Sequence, residues 1–177
     1  MIFAGLTNLQ AALFLGARTE LVTGQFWHFV GGDLDEYGIP SDLRYSDSRV
    51  WVDGLRVLPP HLPMQRNVDV GGLLCGSDGG PFDDHLAEIA IPILHVGAAG
   101  GWGPSAYHTA TLTASNDITT VTVQLQTDDD RAIDFGHADM LLAGDAEELV
   151  WRPILDWLTA KSEKSDKSKK SKKSKKR

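Results

Sequence analysis

Ile91-Pro92-Ile93-Leu94-His95-Val96-Gly97, running on into Ala98-Ala99-Gly100-Gly101-Trp102-Gly103, is the stretch on which the fold turns. A short, nearly continuous apolar run is the pattern of a parallel strand covered on both faces, because such a strand has no solvent side on which to alternate polar residues. The glycines from Gly97 to Gly103 then form a turn at its end. A weak helix is expected over Ser105 to Ala114, and the β-branched segment Thr119 to Leu125 reads as a second strand. Phe135-Gly136-His137 falls in the loop after it. Asp145, with Glu148 three residues on, reads as a helix start, and Ala146, Leu149, Val150, Pro153, Ile154, Trp157 and Leu158 recur at helical spacing. Pro153 cannot donate within that helix, so a kink or restart is expected there. Strand, helix, strand, helix at this spacing is α/β architecture.

Upstream, Thr7-Asn8-Leu9-Gln10 has the pattern of a capping box; Leu9, Ala12 and Leu13 share a face, and Gly16 can stop the helix. The first residues are apolar but lack a basic leader, which argues for a short buried helix and against a signal peptide. From Tyr37 to Pro81 the chain is rich in Pro, Gly, Asp and Arg and reads as irregular structure lying over something else. No apolar run approaches the roughly eighteen residues of a membrane span. Cys75 is the only cysteine, which excludes an intrachain disulfide and fits a reducing, cytoplasmic compartment.

At 42% hydrophobic residues the chain can build a core. Its net charge of −7 conceals two different polymers. Before Lys161 there are 7 basic residues, all arginine, and 22 acidic ones, giving −15; from Lys161 on there are 10 basic and 2 acidic, giving +8. The segment KSEKSDKSKKSKKSKKR holds no apolar residue and is expected to be a disordered basic tail over 161–177, either simply solvated or acting as a polybasic arm for an anionic partner. Phosphorylation of its serines would cancel the charge.

The stretches HLAEIAIPILHVGAAGGWGP, DITTVTVQL and DFGHADMLLAGDAEELVWRPILDWL, in this order and spacing, resemble the C-terminal part of the α/β-hydrolase superfamily. The resemblance spans about residues 85 to 158. It implies a partial α/β-hydrolase-like fold: Ile91–Gly97 as the penultimate strand, Thr119–Leu125 as the last, His137 in the Gly-His loop at the catalytic histidine position, and a closing amphipathic helix ending in Trp-Leu. By the same analogy 1–84 is a cap or lid region and 85–160 the C-terminal part of the hydrolase domain. An ester or lipid substrate is implied, with no cofactor.

Two departures from the family pattern matter. The nucleophile of that family sits in a G-x-S-x-G elbow, which this chain lacks; in Cys75-Gly76-Ser77-Asp78-Gly79 a cysteine holds the first position, and Ser77 reads as a turn serine. The triad acid often follows the penultimate strand, where this chain has only glycines, alanines and a tryptophan. Asp117, from a separate loop, is the remaining candidate for holding the imidazole in one tautomer. Asp134 and Asp139 are so close to His137 in sequence that bracing the loop is their more natural role. The resemblance thus implies a hydrolase-like protein that is incomplete and inactive alone. The alternative is a non-catalytic scaffold that uses its tail on an anionic partner.

Remaining residues add little chemistry. His28, His61, His85, His95 and His108 show no metal-ligand spacing, and His95 is expected to be a satisfied interior histidine. The glycine turn lacks the order of a phosphate loop. Asp128-Asp129-Asp130 reads as a solvated turn. Phe26, Trp27 and Phe29 are expected to pack a cap, with the lining of an acyl pocket as the alternative. A sheet built from two strands would leave an unpaired edge through which copies of the chain could associate.

Overall fold

The computed structural model describes residues 3–19, 27–57 and 85–174. Ser77, Cys75, His61 and Phe26 lie outside them. The chain begins with α1 (Asn8–Ala17), whose start is the capping box expected from sequence: Gln10 N–H donates to Thr7 Oγ1 at 3.2 Å and Thr7 N–H donates to Gln10 Oε1 at 3.0 Å. The helix runs one residue past Gly16. Two short strands, β1 (Gly32–Leu34) and β2 (Pro40–Leu43), form an antiparallel hairpin, and α2 (Ser48–Val57) follows. Part of the region expected to be irregular is therefore regular, although α2 buries no residue and is anchored by Trp51, whose indole N–H donates to Ala12 O at 2.9 Å.

Downstream, β3 (Ile93–Ala98) and β4 (Ile118–Val123) are neighbouring parallel strands, in step from Ile93 opposite Ile118 to Ala98 opposite Val123. Pro92 cannot donate to a ladder and so marks where β3 begins; every residue of β4 is β-branched, which favours the pleated conformation. α3 (Gly103–Thr111) joins them, making a β-α-β unit. The fold is mixed α/β, and this two-stranded parallel sheet is its centre.

Burial along the pair is uneven. Both strands are half-exposed over most of their length and become buried only at their carboxyl ends, at Gly97, Ala98 and Val123. The expectation of a strand covered on both faces therefore holds only at that end. With two strands there is no wide sheet face for a second layer to cover, and among the described residues each strand keeps one unpaired edge. The main core gathers at the buried end: Ala98 and Val123 pack with Phe135, Ala143, Ala146 and Val150, joined by Tyr45, Met140, Leu149 and Ile154. A smaller core of Leu13, Val30 and Leu43 packs against Trp51 and Ala138. Tyr45 and Ala138 cross between the N-terminal and C-terminal parts of the sequence, so residues before 85 contribute directly to the body of the domain.

After β4 come a 3-10 turn (Asp128–Ile133), the short helix α4 (Asp139–Leu142), a π-helical turn (Glu147–Trp151) and α5 (Arg152–Ser174). The turn after β4 carries Asp128, Asp129 and Asp130 on the surface, as expected. Asp145 opens the final helical run through its carbonyl, which accepts from Glu148 and Leu149, and no side-chain cap forms. The expected interruption at Pro153 takes a definite form. A proline ring crowds the carbonyl four residues earlier, and here the preceding turn is widened, with Arg152 N–H donating to Glu147 O.

The tail departs from expectation. Instead of a break near 161, the helix continues to Ser174. After Pro153 there is neither Pro nor Gly to stop it, lysine is a good helix former, and lysines toward a helix C-terminus complement its dipole. The packed turns over 152–160 supply the nucleus that an isolated Lys/Ser segment would lack. Among the described residues no helix is long and apolar enough to cross a membrane.

Candidate functional site

Three loops meet at the carboxyl end of the parallel pair. The glycine turn after β3 donates Gly100 N–H to Phe135 O (3.0 Å) and accepts His28 N–H at Gly100 O (2.9 Å). The segment from His28 to Gly31 in turn accepts His137 N–H at His28 O (3.2 Å) and Ala138 N–H at Phe29 O (2.6 Å), while Phe29 N–H reaches Gly16 O of α1 (2.8 Å). The backbone on both sides of His137 is thus fastened to a segment more than a hundred positions earlier. Two glycines make the approach possible. A Cβ on Gly136 would lie 2.5 Å from Phe29 O, and one on Gly101 would lie 2.7 Å from His137 N.

Two buried carboxylates brace this junction, the role expected for them. Asp134 Oδ1 accepts from the N–H groups of Leu125 (2.8 Å), Gln126 (3.1 Å) and Phe135 (2.7 Å), so it ties the end of β4 to the histidine loop. Asp139 is 0% exposed. Its Oδ2 accepts from Gly31 N–H (2.7 Å) and Gly136 N–H (2.8 Å), and its Oδ1 accepts from the Ser46 hydroxyl (2.5 Å). Burial pushes the Asp139 carboxyl above its ordinary range, with Ser46 and the two N–H groups pulling the other way.

The His137 side chain is half-buried, with its ring 4.7 Å from that of Trp102. Burial lowers its pKa below the ordinary histidine value, which favours the neutral ring. Trp102 also meets Trp27 (4.3 Å) and Phe29 (5.5 Å), and Phe29 lies 6.2 Å from Trp51. Trp27 and Phe29 therefore pack beside the histidine, in the place where they would also line one side of a site. Among the described residues no carboxylate or hydroxyl hydrogen-bonds to the imidazole.

Asp117 is not brought to His137. It precedes β4, its carbonyl accepts from Ile93 N–H at the amino end of the pair, and its carboxylate is bound by Lys161. His137 follows β4 at the other end. A six-residue strand spans roughly 20 Å, too far for Asp117 to orient the imidazole. The assignment of Asp117 as triad acid is corrected on that ground. The sequence already held the warning, since one strand separates the two residues.

Sequence reasoning missed two participants. His28, one of several histidines without ligand spacing, is buried, and its Nε2 lies 2.6 Å from Asp134 O. Trp102 sits in sequence as one residue of a glycine turn, yet its ring meets those of His137 and Trp27. No periodic or motif signal marks either, because their importance arises from contacts distant in sequence. His95 is satisfied as expected, its Nε2 lying 2.9 Å from Gly103 O. Among the described residues no three His, Cys, Asp or Glu side chains gather into a metal-binding group.

Compared with protein-family models, curated proteins and solved structures, the chain matches none.

Proposed function

We propose that this chain is an α/β-hydrolase-like protein of the ester- or lipid-hydrolase type, carrying the histidine part of the site and inactive by itself. The observation behind this reading is the in-register parallel pair β3–β4 with the Gly136-His137 loop stitched across its carboxyl end. That is the position the superfamily resemblance calls for. The chemistry fits as well: burial lowers the pKa of the half-buried imidazole, which favours the neutral ring that can accept a proton from a nucleophile. What is lacking among the described residues is a hydroxyl in reach of the ring and an acid behind it. Without them only the residual effects of binding and oxyanion contacts remain.

Hydrolysis of p-nitrophenyl esters by the purified chain is the test. The expected rate is that of background, unchanged by His137→Ala, while ester binding perturbs the fluorescence of Trp102 and Trp27 beside the ring. Turnover abolished by His137→Ala would contradict inactivity and direct attention to Ser77. Absence of any ester-induced change in fluorescence would count against the hydrolase type.

A second reading has its own observation, the continuation of α5 through the lysine-rich segment. In this reading the chain is a non-catalytic scaffold whose cationic helix engages an anionic partner. Binding to RNA or acidic lipid vesicles should then fall steeply with salt and disappear when 161–177 is deleted; salt-insensitive binding would contradict it.

A further inference from the structure

We propose that the ion pair between Lys161 and Asp117 is a latch that decides whether the basic segment beyond it is helical. The inner face of α5 meets the body at successive turns. Ile154 packs against the core, the Trp157 indole N–H donates to Thr119 Oγ1 at 3.1 Å, and Lys161 Nζ donates to Asp117 Oδ1 at 2.5 Å. The same Nζ also reaches Asp117 Oδ2 and lies 5.3 Å from the centre of the Trp157 ring. Asp117 is itself held in place, its carbonyl accepting Ile93 N–H at 2.9 Å and its own N–H donating to Ser115 Oγ at 3.3 Å. The next positions at this spacing, Lys164, Ser165 and Ser168, are polar. Among the described side chains, Lys161 is the outermost anchor of the helix.

Past the latch the backbone stays helical to Ser174, through a sequence that cannot sustain a helix by itself. An isolated helix this short is marginal in water even when rich in alanine, and residues 162–174 hold neither alanine nor leucine. Their serines favour turns and caps, and lysines four apart in a helix, such as Lys169 and Lys173, repel. Helix there must propagate from a turn that is already fixed. The pair with Asp117 fixes that turn, and without it the last fastened position moves back to Trp157. The extension must then pass through Leu158, Thr159 and Ala160 with no contact to the body at its far end. The two side chains are 22% and 45% exposed, so losing one charge is enough to open the latch. The tail helix is in this way linked to the amino end of the sheet, away from His137, and the link does not rest on either reading of function.

Cα secondary chemical shifts of the full chain, read residue by residue, test it. Asp117→Asn is the key variant, because it lies outside the helix and keeps the backbone bond to Ile93. In the native chain, helical shifts are expected to run from 152 past 165. In Asp117→Asn the helix–coil balance over 162–168 should move toward coil by a few-fold, up to about fivefold. Lys161→Met, which keeps a long side chain of similar helix propensity, should do the same. The shifts of 152–157 and of β3 and β4 should stay where they are in both. The double variant should do no more than either single one, since both remove the same contact. Coil shifts beyond 161 in the native chain, shifts there unchanged by Asp117→Asn, or effects that add in the double variant would each overturn the proposal.

Discussion

At the carboxyl end of the β3–β4 pair the loops are joined backbone to backbone, through Gly100, His28, Phe29, Phe135, His137 and Ala138, with Asp134 and Asp139 buried among them. At the amino end, beyond the backbone bond from Ile93 N–H to Asp117 O, the contacts are between side chains: Trp157 with Thr119, and Lys161 with a half-exposed Asp117. Backbone donors buried at the first end have no water to fall back on, so losing a partner there is costly. The second end trades its contacts readily for solvent. The difference shows why one end of a very small sheet can hold a histidine in a fixed position while the other only docks a helix.

Breaking the stronger end should have the largest effect. Asp139→Ala strands the buried N–H groups of Gly31 and Gly136 and is expected to cost about 3 kcal/mol in urea unfolding. Asp139→Asn should cost less, because an amide oxygen can accept both N–H groups while its nitrogen donates to Ser46. Gly136→Ala drives a methyl toward Phe29 O and should cost about 2 kcal/mol, with the loss appearing in the same unfolding measurement.

Acid sharpens the comparison further. Because burial depresses the His137 pKa, the unfolded chain takes up the proton first. This contribution to stability is therefore fully present above about pH 6.5 and is lost as pH falls through the lower folded value. Replacing His137 by Gln should flatten that part of the stability profile measured by thermal unfolding. At the other end, Lys161→Ala should cost less than about 1 kcal/mol, and added salt should shrink the difference.

Much of this was legible in the residues, and the reasons differ by element. The Thr7 capping box, the interruption at Pro153 and the two parallel strands are local patterns, readable because a few neighbouring side chains decide them. The bracing roles of Asp134 and Asp139 followed from their closeness to His137. The segment from His28 to Gly31 was not legible as part of the site: its bonds run to Gly16, Gly100 and residues 134–139, and no spacing rule connects such distant positions. Asp117 and His137 lie in loops at opposite ends of β4, a separation that the strand between them imposes. The tail's lack of apolar residues rules out a buried face but does not forbid a helix that grows from a packed one.

The account rests most on the claim that the His137 loop is locked to the His28–Gly31 segment as one cooperative unit. Amide hydrogen exchange measures this directly. The amides of Gly31, Gly136, His137 and Ala138 should exchange only through global unfolding in the native chain and lose that protection together in Asp139→Ala. Exchange of the His137 and Ala138 amides as fast as in an exposed loop, or protection left untouched by Asp139→Ala, would contradict it.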